Sequence, residues 1–330
     1  MIVSKIKKAV RRARRHIVFT APANRLDRIW FEPVSGCNLH CALCPNSTVT
    51  EKRKRGLAKL ETFVKILDET NPKEAELCIW GEPLLHPQIT DFFKICYDRN
   101  ISLYVSSNFN VQVDFNKIFS TNPKIDLVFS CYGMTQATYE LYHRGGDLKL
   151  LMANVMKAIE ARKKYGGNLS WIWLKHRYNE KELSQCIEFC EKYDIRPLVS
   201  DIRVEVRREV LDDISTYKEN LRWAAPDSRR YFIKNNKKKK KCHLPFRTAA
   251  FDFDGSVLAC CSSYDKEHDL GNINEDLWKN IWNGPKYRSA RRAIRWGIFS
   301  DPAVICQRCV KRGYRDEREW QKTLSLKTAE

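Results

Sequence analysis

Between residues 28 and 200 the apolar positions switch repeatedly between two periods. Leu57, Leu60, Phe63, Val64 and Leu67 recur three or four apart, which predicts a helix over 57–69. Leu148, Leu151, Met152, Val155, Met156 and Ile159 form a second such stripe inside a helix over 148–165. Further helices are predicted over 89–97, 113–120, 135–142 and 180–193. Short β-rich runs lie between them, at 28–34, 76–80, 101–106, 125–130, 169–175 and 196–200. Six strands alternating with helices imply parallel β/α units. Six units suit an incomplete barrel better than a closed barrel of eight. The fold class is therefore α/β, a partial (β/α)6 TIM-like barrel.

The run over 169–175 is unusual. A period of two puts Trp171, Trp173, Lys175 and Arg177 on one face, and Ile172, Leu174 and His176 on the other. The aliphatic face is expected to meet the helices, and the Trp–Trp–Lys–Arg face to line the barrel. Such a wall suits a polar or anionic small substrate. Lys175 and Arg177 are thus the candidate catalytic or substrate-binding cations.

Outside this stretch the pattern changes. Residues 1–27 read as a basic arm, with a weakly amphipathic segment over 3–16. Residues 52–55 read as a charged surface turn. Residues 201–241 are charged and irregular and read as a linker, with Leu211, Leu221, Trp223 and Phe232 as apolar anchors. Cys242 opens a second, cysteine-marked region over 242–312, and 313–330 is a charged tail.

The 330 residues carry a net charge of +19, concentrated at 5–15 and in the lysine run of 234–241. No nucleic-acid-binding motif lies between these segments, so no specific nucleic-acid partner is expected. No run of about 18 apolar residues is present, and nothing resembles a signal peptide. Thirteen cysteines without a small secreted scaffold fit metal binding in a reducing cytoplasm.

Cys37, Cys41 and Cys44 form C-x3-C-x2-C in a polar loop directly after the first strand. Three thiolates hold three irons of a cubane cluster and leave the fourth open. A zinc knuckle is the other reading, although zinc favours four protein ligands in paired C-x2-C units.

This spacing after the first strand resembles the radical SAM (S-adenosylmethionine) superfamily. Leu43, before the third cysteine, stands where that family often has an aromatic residue. Trp80-Gly81-Glu82-Pro83 ends the second predicted strand and resembles the family's G-G-E-P motif, with Trp80 in place of the first glycine. The resemblance implies that Gly81, Glu82 and Pro83 bind the amino end of SAM. It also implies that Ser107 and Asn108, ending strand three, and Ser130, ending strand four, contact its ribose or carboxylate. Ser and Asn equally suit turns and helix caps at such places. The stretch from Ser130-Cys131-Tyr132-Gly133 to Tyr139, Tyr142, Arg144 and Gly145 is also similar to the family.

Cys242 is followed by C-x12-G-x4-C to Cys260, and by Cys306-x2-Cys309. Four thiolates suffice for a fully ligated cluster, or for zinc. The region resembles the SPASM/twitch extension of many radical SAM enzymes, shortened to one auxiliary cluster. Leu270-Gly271-Asn272-Ile273, Leu277-Trp278, Ile281-Trp282 and Tyr287-Arg288 add to that likeness. Cys261 is the alternative to Cys260. Cys78, Cys96, Cys131, Cys186 and Cys190 read as structural thiols.

The resemblance implies an enzyme with a SAM-binding [4Fe-4S] cluster, an auxiliary [4Fe-4S] cluster and SAM. It would cleave SAM to a 5′-deoxyadenosyl radical, abstract a substrate hydrogen and most naturally act as an oxidoreductase on a small polar substrate such as a sugar, cyclitol or nucleotide-linked compound. A flavodoxin or ferredoxin would serve as reductant. A peptide-modifying maturase is the alternative function. A zinc-binding nucleic-acid module would leave the β/α repeat and the Gly81-Glu82-Pro83 turn unexplained.

Overall fold

A computed structural model describes residues 26–48, 53–202, 219–228, 242–298, 301 and 303–311. The expected basic segments 3–16 and 234–241, most of the linker and the C-terminal tail lie outside these residues.

Six strands form a parallel array: β1 (Arg28–Phe31), β2 (Glu74–Leu77), β3 (Ser102–Ser107), β4 (Asp126–Ser130), β5 (Asn168–Lys175) and β6 (Arg196–Asp201). The longer helices between them are α1 (Leu60–Thr70), α2 (Ile89–Asp98), α3 (Phe115–Thr121), α4 (Gln136–Tyr142), α5 (Leu148–Tyr165) and α6 (Leu183–Lys192). The C-terminal region contributes β7 (Thr248–Phe251), β8 (Ser256–Leu258), β9 (Gly271–Asn272), α7 (Trp278–Trp282), α8 (Pro285–Trp296) and α9 (Ile305–Lys311). β7 pairs with β1 in parallel, and β8 and β9 follow antiparallel. One nine-stranded sheet results, ordered β6-β5-β4-β3-β2-β1-β7-β8-β9.

Period two assigns the faces. Ile29, Phe31, Ala75, Leu77, Leu103, Val105, Leu127 and Phe129 join the helices in the main core. Phe31 meets Phe63 of α1 and Phe92 of α2. The opposite face carries Arg28, Glu74, Glu76, Asp126 and Arg196, paired as Arg28–Glu74, Arg28–Glu76 and Arg196–Asp126. Arg28, Glu74, Asp126 and Arg196 open their strands, and Glu76 lies two residues into β2. They place charge pairs at that end of the inner face and leave the C-terminal ends for loops.

The faces of β5 are the reverse of the sequence expectation. Trp171 and Trp173 are fully buried in the helix-side core, where Trp171 meets Phe189 of α6 edge-on at 5.6 Å. Ile172 and Leu174 pack on the inner side, in a second cluster with Leu43, Tyr132, Tyr142 and Trp223. Register supplies the reason. Trp171 pairs with Phe129, whose ring already belongs to the helix layer. An indole buries about 150–250 Å2, more than an aliphatic side chain, so the tryptophans take the fully covered face. Lys175 then pairs with Asp227 at 2.7 Å and with Asp201 at 3.7 Å, while Arg177 is exposed. The inward wall of two aromatics and two cations is not formed; His176 is the polar side chain that joins Ile172 and Leu174.

Residue 53 also departs from expectation. Arg53 is not on a surface turn but buried, 4% exposed. Its guanidinium pairs with Asp252 and Asp269 and donates to the carbonyls of Ser263, Tyr264 and Asp265. It also lies 5.2 Å from the Trp80 ring centre. The signal was available only across more than 190 residues of chain, in acids that look like ordinary surface charges. Removing one partner of a buried ion network leaves uncompensated charge and costs about 3–5 kcal/mol. Arg53→Met should lower unfolding stability by about that much in urea titrations. An unchanged midpoint would mean that water already solvates the two aspartates.

Candidate active site and iron–sulfur centre

The cysteine loop leaves β1 and is held from two sides. On one side, the turn after β2 presses directly onto it. A Cβ placed on Gly81 would lie 1.9 Å from the carbonyl oxygen of Val34 and 2.6 Å from that of Gly36. Only glycine permits this approach. The Glu82 amide donates to the Gly36 carbonyl at 2.8 Å. Glu32, at the end of β1, accepts from the amides of Ile79, Trp80 and Gly81 at 3.1, 2.5 and 3.1 Å. Those amides point at a carboxylate instead of a neighbouring strand, which is why β2 stops at Leu77 and does not reach Trp80. Burial pushes Glu32 up to about 8, against the pull of those three amides.

On the other side, α4 and its C-terminal residues brace the loop. His40 donates its amide to the Arg144 carbonyl, and Ala42 donates to that of Tyr142. Leu43 packs with Tyr132, Tyr142 and Trp223. The Tyr139–Tyr142–Arg144 stretch of the resemblance is thus the backbone support of the cysteine loop.

The strand ends complete the surroundings. The Glu82 carboxylate is 2% exposed and accepts from the amides of Leu84 at 3.0 Å and Asn108 at 2.7 Å. It staples the β2 turn to the end of β3, and burial raises its pKa to about 7. Asn108 donates to Asn38 at 2.9 Å and lies 3.5 Å from Cys37 Sγ. Ser107 Oγ accepts from the Phe109 amide, the turn role its residue type favours. Pro83 opens a single helical turn over Pro83–Leu85, and Ser130 ends β4. Gly81, Glu82, Pro83, Ser107, Asn108 and Ser130 therefore all lie at C-terminal strand ends, where barrel active sites form.

The donor chemistry of Cys37, Cys41 and Cys44 fits a cationic cluster. Burial pushes Cys37 up to about 12, with Glu82 and Cys44 adding repulsion. Burial also raises Cys41, with Cys44 and Cys37 next, and raises Cys44. Three crowded thiols need a positive centre to become thiolates, and bound metal supplies one.

In the C-terminal region, Gly255 turns the β7–β8 hairpin with φ +83°, and Cys260 follows just beyond β8. The glycine of the C-x12-G-x4-C pattern is therefore the residue that reverses the chain. Cys306 and Cys309 lie three apart on α9, on one helix face. The buried Tyr287 phenol feels both Cys260 and Cys306. Cys242 packs against the same core, half-buried, whereas Cys261 gives its carbonyl to Trp80 Nε1 at 3.0 Å. Beneath them, fully buried Arg291 lies 4.3 Å from the Trp282 ring centre and 5.1 Å from that of Tyr287.

Sequence reasoning missed Glu32, Arg53, His143 and His176 as site-building residues. Alternation did place His176 beside Ile172 and Leu174. His143, 2% exposed with Nδ1 at 3.4 Å from Cys41 Sγ, had no periodic signal.

A family profile described as SPASM, an iron–sulfur cluster-binding domain, matches residues 242–310. No curated protein matches the chain. Among solved structures, SuiB from Streptococcus suis bound to S-adenosylmethionine is similar at 14% identity and TM-score 0.61, covering 88% of this chain and 72% of that one. The anSMEcpe protein with bound AdoMet is similar at 17% identity and TM-score 0.53, covering 93% and 96%. BtrN in complex with AdoMet and 2-DOIA gives 17% identity, 82% and 88% coverage and a TM-score of 0.48, too low to carry an argument. The first two likenesses show the fold.

Gly81→Ala should force the β2 turn off the cysteine loop, because the added methyl meets backbone and not a side chain that can swing away. The expected result is loss of most iron from the loop after anaerobic reconstitution, with the C-terminal region's share retained. Full iron retention would show that the turn and the loop are not mechanically joined.

Proposed function

We propose that this chain, a radical SAM barrel joined to a SPASM iron–sulfur domain, cleaves SAM reductively at the cysteine loop and uses the resulting radical on a substrate C–H bond. Cys37, Cys41 and Cys44 would hold a [4Fe-4S] cluster with one open iron. When bound, that cluster supplies the single electron for SAM cleavage. Gly81, Pro83, Ser107, Asn108 and Ser130 would form the wall that orients SAM, with Glu82 fixing the wall by its two backbone bonds. Cys242, Cys260, Cys306 and Cys309 would hold the auxiliary cluster. The observation that carries the reading is the forced contact of the Gly81 turn with a three-cysteine loop. A zinc knuckle does not require a neighbouring strand end to approach to within a glycine's reach.

For the net reaction we favour oxidation of a small polar substrate, since a second cluster can accept the second electron. A peptide substrate is the second reading. It is favoured by the solved structures of SuiB bound to precursor peptide SuiA and of anSMEcpe with AdoMet and Cp18Cys peptide, at TM-scores of 0.62 and 0.51. A flavodoxin- or ferredoxin-type reductant is part of either reading. Among the described residues no helix is long and apolar enough to cross a membrane.

Protein purified without oxygen should carry about eight irons in two four-iron clusters and form 5′-deoxyadenosine from SAM with dithionite. Replacing Cys37, Cys41 and Cys44 by Ala should remove about half the iron and all SAM cleavage. Stoichiometric zinc without iron after reconstitution would overturn the proposal.

The auxiliary site should separate from SAM cleavage. Converting Cys306 and Cys309 to Ala should strip the second cluster, leave uncoupled 5′-deoxyadenosine formation and stop substrate turnover. Full product formation with one cluster would make the C-terminal cysteines structural.

A further inference from the structure

His143 follows α4 directly and lies on the inner side, against the cysteine loop. Its Nδ1 is 3.4 Å from Cys41 Sγ. Three tyrosines fix the ring. Tyr139 stacks on it at 4.7 Å and 22°, Tyr132 lies at 4.4 Å, and Tyr142 meets it edge-on at 5.2 Å. The backbone beside the ring is also tied to the loop, since Tyr142 and Arg144 accept from Ala42 and His40. The distance from histidine to cysteine is therefore set by two backbone bonds and not by a flexible arm.

A neutral imidazole carries one proton, on one nitrogen, and an imidazolium carries two. Nε2 is buried and has no partner among the described residues. The polar contact of this ring is thus the cysteine sulfur, and a thiolate there accepts a bond from Nδ1–H. Burying a ring nitrogen without a partner costs free energy. A phenylalanine or leucine would fill the same aromatic slot without that cost, and would make no bond to sulfur.

We propose that His143 is a positioning residue for the loop cluster: its Nδ1–H donates to the Cys41 sulfur and makes the cluster easier to reduce. The inference rests on the reading that Cys41 is a ligand. Hydrogen bonds to ligating sulfurs are among the determinants of cluster potential, because they stabilise the charge added on reduction. Removing the bond should shift the midpoint potential to more negative values.

The test uses the full chain, anaerobically reconstituted, in a mediated redox titration with dithionite followed by electron paramagnetic resonance. The loop cluster's signal is identified as the one absent from the Cys37/Cys41/Cys44→Ala variant. His143→Leu and His143→Phe remove the donor, and the phenylalanine keeps the aromatic slot filled. His143→Asn places an amide N–H near the position of Nδ1. Both donorless variants should show a more negative midpoint, with a several-fold smaller fraction reduced at a fixed potential near the wild-type midpoint. The asparagine variant should return toward wild type. Loss of the loop cluster in the donorless variants, with retention at wild-type potential in His143→Asn, also supports the proposal. An intact loop cluster at wild-type potential in a donorless variant overturns it, as does loss of the cluster in all three. If Cys41→Ala keeps the full iron content with an unchanged signal, Cys41 is not a ligand, and the underlying reading fails whatever the histidine variants do.

Discussion

The contact between Gly81 and the cysteine loop is the constraint on which the site depends. A carbonyl that would lie 1.9 Å from a Cβ leaves no room for any side chain, so the β2 turn and the loop after β1 behave as one piece. Glu32 holds that piece from below through three amides, and the Gly36 carbonyl holds it through the Glu82 amide. Burying a carboxylate is costly unless its oxygens are bonded, and Glu32 and Glu82 both meet that condition with backbone donors. Burial raises both carboxyls, and whenever they ionise their charge lies close to the loop and opposes thiolate formation at Cys37 and Cys44.

The same turn connects the barrel to the C-terminal region. Trp80 packs on Tyr264, Ala250 and Leu258, gives its indole N–H to Cys261, and lies under the Arg53 guanidinium. Arg53 in turn binds acids on both sides of the β8 strand, Asp252 before it and Asp269 after it. With β7 extending the parallel sheet beyond β1, the two cysteine-bearing regions share a sheet, a tryptophan and a buried cation. That arrangement gives the Trp80 substitution in the G-G-E-P-like motif a physical meaning: a large ring there can reach the second region, where glycine could not.

Much of this was legible in the chain itself. Strongly periodic segments gave elements close to those observed, and the stripe from Leu148 marks α5, which spans Leu148–Tyr165. The cysteine spacings and the glycine turn motif marked the segments that the fold brings to the C-terminal strand ends and to the β7–β8 hairpin, because each of these patterns is short and local in the chain. Three things were not legible. The face choice of β5 depended on what Phe129 presents next door, which alternation within one strand does not contain. Arg53 looked like solvent-facing charge because its partners lie about 200 residues away. His143 sits in a turn without periodicity, and only the close packing of Tyr132, Tyr139 and Tyr142 gives it a fixed target.

The central claim is that the loop holds a cluster with one iron left open by the protein. Mössbauer spectroscopy on iron-isotope-enriched protein tests it most directly, because it resolves individual irons of a cluster. The account predicts four-iron clusters in which added SAM changes the signal of one iron of the loop cluster and leaves the other cluster unchanged. A spectrum unaltered by SAM in protein with full iron content, or a chain that takes up zinc and no iron, would contradict it.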